Sequence, residues 1–228
     1  MTASPWILDN DAIAMGPEPS EAAAVAILVH GRGRSPNDMR DLAVAFANPA
    51  ISFVMPRAPG GTWYPESFLA PIYRNEPALS ASLTRYKRIV DAVIARGVAS
   101  ENIVLGGFSQ GACLTAEYLI RNPRPYGAVL LFTGGVIGPP GTRWPVQSAL
   151  NGVPVYLSGS RVDEWVPHSR VNETADVLWA SGARVKLRMF EDRPHEVCGE
   201  EIAAARELLA LWKPHDADRG RDAKRANN

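Results

Sequence analysis

Six short apolar runs recur along the chain, most of them separated by amphipathic stretches, and this alternation constrains the fold more than any other feature. The runs are VAILV (25–29), ISFVM (51–55), IVLG (103–106), AVLLF (128–132), VPVYLS (153–158) and RVKLRMF (184–190). Several are apolar on successive residues rather than on alternate ones. A strand reads this way when both faces of its sheet are covered, the usual condition of a parallel sheet.

Helix signals fill most of the intervals. Ser35-Pro36-Asn37-Asp38 offers an N-cap, a proline at the first helical position and an acid three residues after the cap. Met39, Leu42, Ala43 and Phe46 then recur at helical spacing. Leu79, Leu83, Tyr86, Val90 and Val93 mark a second helix, stopped near Gly97. A third is predicted from about Gln110 to Arg121, a fourth around Val171 to Ala180, and a fifth from about Glu200 to Trp212. Strands alternating with helices predict an α/β fold, with a mostly parallel central sheet and helices on both faces.

Composition narrows the classes of function. The 228 residues are 46% hydrophobic and 21% charged, enough to bury a sizeable core. Residues 1–213 are expected to form a single domain, and the charged, apolar-poor stretch 214–228 a disordered tail. A formal net charge of +0 gives no global basic footprint, so nucleic acid is not an expected partner. No apolar run approaches the roughly 18 residues that a transmembrane segment needs. The N-terminal stretch lacks the basic and apolar regions of a secretion signal. Two cysteines, Cys113 and Cys198, make no disulfide framework, and a cytoplasmic, reducing location is expected.

The stretch Gly107-Phe108-Ser109-Gln110-Gly111 stands where the IVLG run gives way to a helix. In a parallel sheet ligands bind beyond the carboxyl ends of the strands, and Ser109 falls there. A sharp strand-to-helix turn strains its central residue, and flanking glycines remove the Cβ atoms that would clash. Ser109 is therefore the candidate nucleophile. Its hydroxyl needs a base to take the proton. Of the four histidines, His30 precedes Ser109, His215 lies in the tail, and His168 follows the best acid too closely. His195 emerges after the RVKLRMF run and is the candidate base. Asp163, after VPVYLSGSRV, is the candidate orienting acid in the chain order Ser…Asp…His, with Glu164 as its neighbouring alternative.

Acyl transfer also needs backbone N–H groups aimed at the developing oxyanion. The amide of Gln110, the residue after the nucleophile, is one candidate. The other is expected in the loop His30-Gly31-Arg32-Gly33, which directly follows VAILV. Trp63, Tyr64, Phe68 and Val166 are expected to line the substrate pocket, and the Gly- and Pro-rich TGGVIGPPGTRW to border it. His195 and Cys198 form an H-x-x-C pair without a second ligand pair, so no zinc site is expected.

With VAILVHGRG, GFSQGA, GSRVDEWVP and the late Pro194-His195 assembled, the chain resembles the phospholipase/carboxylesterase family of small α/β-hydrolases over residues 25 to 212. That group includes acyl-protein thioesterases and bacterial carboxylesterases. The resemblance implies an α/β-hydrolase fold, a triad of Ser109, Asp163 and His195, and the amides of Arg32 and Gln110 as oxyanion donors. It further implies no metal or organic cofactor, and a small ester or lipid-like substrate. Thioesterase-like members tend to carry an Arg-x-Trp-Phe-Asp type of stretch after the second strand, where this chain reads Gly61-Thr62-Trp63-Tyr64-Pro65-Glu66. That departure points toward carboxylesterase-like members, with lysophospholipase or thioesterase activity as the alternative, and a non-catalytic ligand-binding relative as a third.

Overall fold

A computed structural model of the chain describes residues 11–212. Seven strands form one sheet: β1 (Ala12–Met15), β2 (Ala24–Val29), β3 (Ile51–Pro56), β4 (Ile103–Phe108), β5 (Ala128–Phe132), β6 (Pro154–Ser160) and β7 (Arg184–Phe190). Their spatial order is β1-β3-β2-β4-β5-β6-β7. Only β1 runs antiparallel, pairing Ala12 with Pro56 and Met15 with Phe53 on β3; the other neighbours are parallel. The helices are α1 (Pro36–Phe46), α2 (Ala78–Ile94), α3 (Gln110–Arg121), α4 (His168–Ala180) and α5 (Gly199–Leu209).

Two apolar cores explain the continuous runs. Val25, Ile27 and Val29 of β2 point into one core with Leu83, Val90, Leu119 and Leu178 from α2, α3 and α4. Ala24, Ala26 and Leu28 point into the other with Leu42, Phe46, Ala205 and Leu209 from α1 and α5. Every residue of β2 to β5 is buried, so no strand face is left for polar alternation. At the sheet edge β7 does alternate: Val185, Leu187 and Met189 pack on the first core, while Lys186 and Arg188 pair with Glu207 and Glu200 of α5. Charges on an edge strand also discourage pairing with another chain.

The cap predicted for α1 is present: the Ser35 hydroxyl accepts from Asn37 N–H, and Asp38 accepts from Ser35 N–H at 2.9 Å. Strand β1 has no counterpart among the six apolar runs. Helix α4 starts at His168, three residues before the apolar spacing begins, and α5 ends at Leu209, short of Trp212. Among the described residues, no helix is long and apolar enough to cross a membrane. The tail expected over 214–228 lies outside the described residues.

Candidate active site

Ser109 occupies the turn between β4 and α3 with φ 54° and ψ −119°. For a non-glycine residue such a backbone costs about 1–3 kcal/mol, so the surroundings must enforce it. Two close approaches do so. A Cβ on Gly107 would lie 2.5 Å from the Gly111 carbonyl carbon, and one on Gly111 only 2.0 Å from the Val29 carbonyl oxygen. Ser109 N–H donates to the Phe132 carbonyl at 3.0 Å, and the Ser109 carbonyl accepts from Cys113 N–H at 2.9 Å. The turn is thus fastened to β5 on one side and to α3 on the other.

Although Ser109 holds the N-cap position of α3, its hydroxyl caps nothing there. It lies 2.8 Å from His195 Nε2 instead. His195 Nδ1 lies 2.7 Å from Asp163 Oδ2. The Asp163 side chain is fully buried and that of His195 is 22% exposed. Burial pushes the Asp163 carboxyl up, but hydrogen bonds from His195 and from the Val166 and Trp165 amides outweigh it and hold the group below its ordinary value. Those two amides bind Oδ1 at 2.8 and 2.9 Å, which leaves Oδ2 to the imidazole. An ionised Asp163 selects the tautomer with the proton on Nδ1, so Nε2 is the acceptor facing the serine. Glu164, Asp176, Asp192 and His168 are all exposed and take no part in this chain of hydrogen bonds.

The HGRG loop lies against the same turn. A Cβ on Gly31 would sit 3.3 Å from the Ser109 Cβ. In this loop Gly33 N–H donates to the Gly61 carbonyl and Arg34 N–H to the Gly31 carbonyl, at 2.8 and 3.2 Å. Gln110 is the first helical residue of α3, so its N–H has no acceptor within the helix and lies at the positive end of the helix dipole.

His30 has a structural task that its sequence position did not disclose. It is fully buried; Nδ1–H donates to the Gly31 carbonyl at 2.7 Å and Nε2 accepts from Ala58 N–H at 3.0 Å. Burial lowers its pKa, which keeps the ring neutral as this bonding requires. The Gln110 side chain was equally silent. Its Oε1 accepts from Trp63 N–H at 3.0 Å and its Nε2 donates to the Tyr64 carbonyl at 2.8 Å, tying the first turn of α3 to the 62–64 segment.

A cleft of about 470 Å³ opens beside Ser109 and His195. Tyr64, Phe68 and Val166 line it, as do Cys113 and Trp165. Trp63, expected in this wall, lies elsewhere. It is buried behind the HGRG loop, because its indole N–H donates to the His30 carbonyl at 2.8 Å and its ring packs 5.1 Å from the imidazole. The TGGVIG stretch is likewise buried, its Gly138 N–H donating to the Phe68 carbonyl, so it braces the cleft wall from behind. The Arg32 side chain donates to the Pro65 and Glu66 carbonyls, each at 2.6 Å, and pins the loop that carries Tyr64. Trp165 is 69% exposed at the rim; in sequence it was only part of the GSRVDEWVP string.

A strand-end serine bonded to a histidine–aspartate pair raises the matter of kinship, and a sequence profile of the Phospholipase/Carboxylesterase family matches residues 10–213. The chain belongs to that family. A phospholipase/carboxylesterase from Dyadobacter fermentans superposes with a TM-score of 0.83 at 34% identity, covering 91% of this chain and 100% of that one. Acyl-protein thioesterase 1 of Eremothecium gossypii is 33% identical over 116 residues, 49% of this chain and 48% of that protein. The chain therefore spans about half the length of that relative. Acyl-protein thioesterase 1 of Schizosaccharomyces pombe is 25% identical over 198 residues, 79% of this chain and 87% of that protein. The fold is the α/β-hydrolase fold, and the family is one of serine-type ester hydrolases whose members act on small ester or acylated substrates.

Proposed function

We propose that the protein is a serine carboxylesterase that cleaves small or lipid-like carboxylic esters through an acyl-enzyme on Ser109. The single observation that carries this reading is the continuous hydrogen-bonded chain from Ser109 Oγ through His195 to Asp163, at 2.8 and 2.7 Å, at the edge of a cleft. His195 takes the serine proton as the hydroxyl attacks the carbonyl, then delivers it to the departing alcohol. Asp163 holds the imidazole tautomer and stabilises the imidazolium that forms. The amides of Arg32 and Gln110 receive the oxyanion, and each such donor is typically worth about 3 kcal/mol of barrier. Tyr64, Phe68 and Val166 contact the acyl or alcohol group. Water then attacks the acyl-enzyme by the same proton route. The catalytic unit is one domain over residues 1–213, needs no metal or organic cofactor, and works in the cytoplasm.

Thioester or lysophospholipid cleavage is the second reading, its thioester arm favoured by the two relatives named as acyl-protein thioesterases. Labelling with a fluorophosphonate and assay on matched aryl esters, acyl thioesters and lysophospholipids test both. A Ser109-dependent label with fastest turnover on oxygen esters supports the first. A label on wild type and Ser109→Ala alike would refute the nucleophile, and faster thioester turnover would transfer the assignment to the second reading.

A further inference from the structure

The three groups of the Ser–His–Asp chain do not hang from adjacent strands. Ser109 follows β4 and His195 follows β7, with β5 and β6 between them in the sheet. Three strand spacings amount to about 14 Å. The loop after β7 must therefore lean back across two strand ends to bring Nε2 within 2.8 Å of the serine. An exposed loop making that reach needs an anchor along the way.

Arg193 has the geometry of that anchor. Its side chain is only 5% exposed, which for a guanidinium requires partners on several sides. One amino group, Nη1, donates to the Pro194 carbonyl at 2.9 Å and to the Glu196 carbonyl, the residues on either side of His195. The other, Nη2, donates to Thr133 Oγ1 at 2.5 Å, at the end of β5. The Arg193 backbone N–H donates to Ser160 Oγ at the end of β6, at 3.2 Å. The two strands that the loop must cross are thus the two that hold it.

The charge is balanced from α5. Glu201, fully buried, lies 3.7 Å from Arg193 Nε. Its own oxygens accept from Ser158 Oγ at 2.5 Å and from Cys198 N–H at 2.8 Å. The Phe190 ring closes the remaining side, with its centroid 5.0 Å from the guanidinium carbon. The attachment point is itself unusual. Thr133 has φ 53°, a left-handed backbone in a β-branched residue, and its N–H is held by Ser158 Oγ at 3.2 Å. Its neighbour Phe132 supplies the carbonyl that accepts Ser109 N–H at 3.0 Å. One guanidinium therefore joins the loop of the base to the strand end that fastens the nucleophile.

We propose that Arg193 is a positioning residue that sets the His195 ring against Ser109, with Thr133 as its fixed point and Glu201 as its counter-charge. It touches no reacting atom and acts through the two carbonyls that flank His195. This deepens the esterase reading given above and rests on it.

The test uses the full chain with Arg193→Lys, which keeps the charge and loses the fork, and Thr133→Val, which removes only the acceptor. Each is measured for melting temperature, kcat, KM, fluorophosphonate labelling rate and the low-field Nδ1–H proton resonance of His195. The expected result is a folded protein whose kcat and labelling rate fall about tenfold or more, given that a 1 Å misplacement can cost about a hundredfold. KM stays within about twofold, and the low-field resonance shifts or broadens. A merely structural role would move the melting temperature and leave kcat per labelled site and the resonance as in wild type; that pattern overturns the proposal. Should Arg193→Lys fail to fold, Thr133→Val decides alone, and wild-type kinetics in it overturn the cross-tie. A wild type that takes no label at Ser109 would refute the esterase reading instead, while the His195 resonance still reports where the ring sits.

Discussion

Gly111→Ala is the sharpest probe of the turn that holds the proposed nucleophile, Ser109. The Cβ it adds would sit 2.0 Å from the Val29 carbonyl oxygen and 2.6 Å from that of His30. Ordinary contact begins near 3.4 Å, so the shortfall, 3.4 less 2.0, is 1.4 Å. Both obstacles are backbone, and Val29 is paired in register with Gly107 on the neighbouring strand, so neither can swing aside as a side chain would. Helix α3 must back away from the end of β2. That motion separates the Gln110 amide and Ser109 from the HGRG loop, the two halves of the proposed oxyanion site. Overpacking of this kind costs about 1–3 kcal/mol. For a domain of this size that lowers the melting temperature by roughly 2–12 °C, at about 2–4 °C per kcal/mol. A displacement near 1 Å costs about a hundredfold in kcat.

The assay is ester hydrolysis well below the melting temperature, with Gly199→Ala as control. Gly199 opens α5, and a Cβ there meets nothing within 4 Å, so that variant should melt and turn over like wild type. If Gly111→Ala keeps kcat within about threefold and melts with wild type, the close packing of α3 on β2 is not what holds the site, and the reasoning fails.

Three further outcomes follow from the same contacts. Asp163→Asn should lower kcat by about 10⁴, as in serine proteases where the amide stabilises the wrong imidazole tautomer, while circular dichroism stays unchanged. Gln110→Leu keeps the backbone N–H but removes the acceptor of Trp63 N–H, at about 1–3 kcal/mol for that buried group, and leaves the Tyr64 carbonyl with the Thr62 hydroxyl alone. Thermal melting should fall, and KM should rise as the loop carrying Tyr64 loosens. Resistance to urea should fall as pH drops below 6.5, the ordinary value for His30. The folded pKa is lowered, so only the unfolded chain binds the proton in that window, with a slope of up to about 1.4 kcal/mol per pH unit. His30→Gln should flatten this limb. Asp163 adds a second loss further down, because its depressed folded pKa contributes stability above its ordinary 3.8 that disappears as pH falls through the folded value.

The sequence carried the strands and helices where burial is two-sided and the end signals are local. Strand β1 escaped because AIAM is four half-buried residues at the sheet edge, too short and too mixed to stand out as an apolar run. Helix α4 opens at His168, ahead of the apolar spacing that begins at Val171, because His168 and Ser169 are exposed. Ser109, Asp163 and His195 stood out because each emerges just past an apolar run, so chain order and topology limited the choice. The supports did not. His30 meets Ala58 and Trp63, Gln110 meets the 62–64 segment, and Arg193 meets Thr133, each across a stretch of chain that says nothing of its folded distance. Trp63 illustrates the limit: an aromatic beside a cleft can face the cleft or the core, and the deciding bond is to a carbonyl 33 residues away.

That division has a consequence for substrate choice. In the proposed mechanism, attack by Ser109 on an oxygen ester and on a thioester uses the same base, acid and amides, so the triad does not discriminate between them. Selection falls to the cleft wall, and the wall is held by side-chain contacts rather than by strand topology. Arg32 spends its guanidinium on the Pro65 and Glu66 carbonyls. Arg170, buried, stacks near Phe68 and Trp144 and donates to the Val136 and Gly138 carbonyls, fixing the wall from behind. Arg32 gives its fork to backbone carbonyls, and Arg170 divides its guanidinium between two carbonyls and the Glu173 carboxylate, so both act as struts of the wall. The wall they hold is apolar at Phe68 and Val166 and ends in an exposed indole at the rim. Covering that surface with an acyl or alkyl group would contribute about 25 cal/mol for each Å² of apolar area buried.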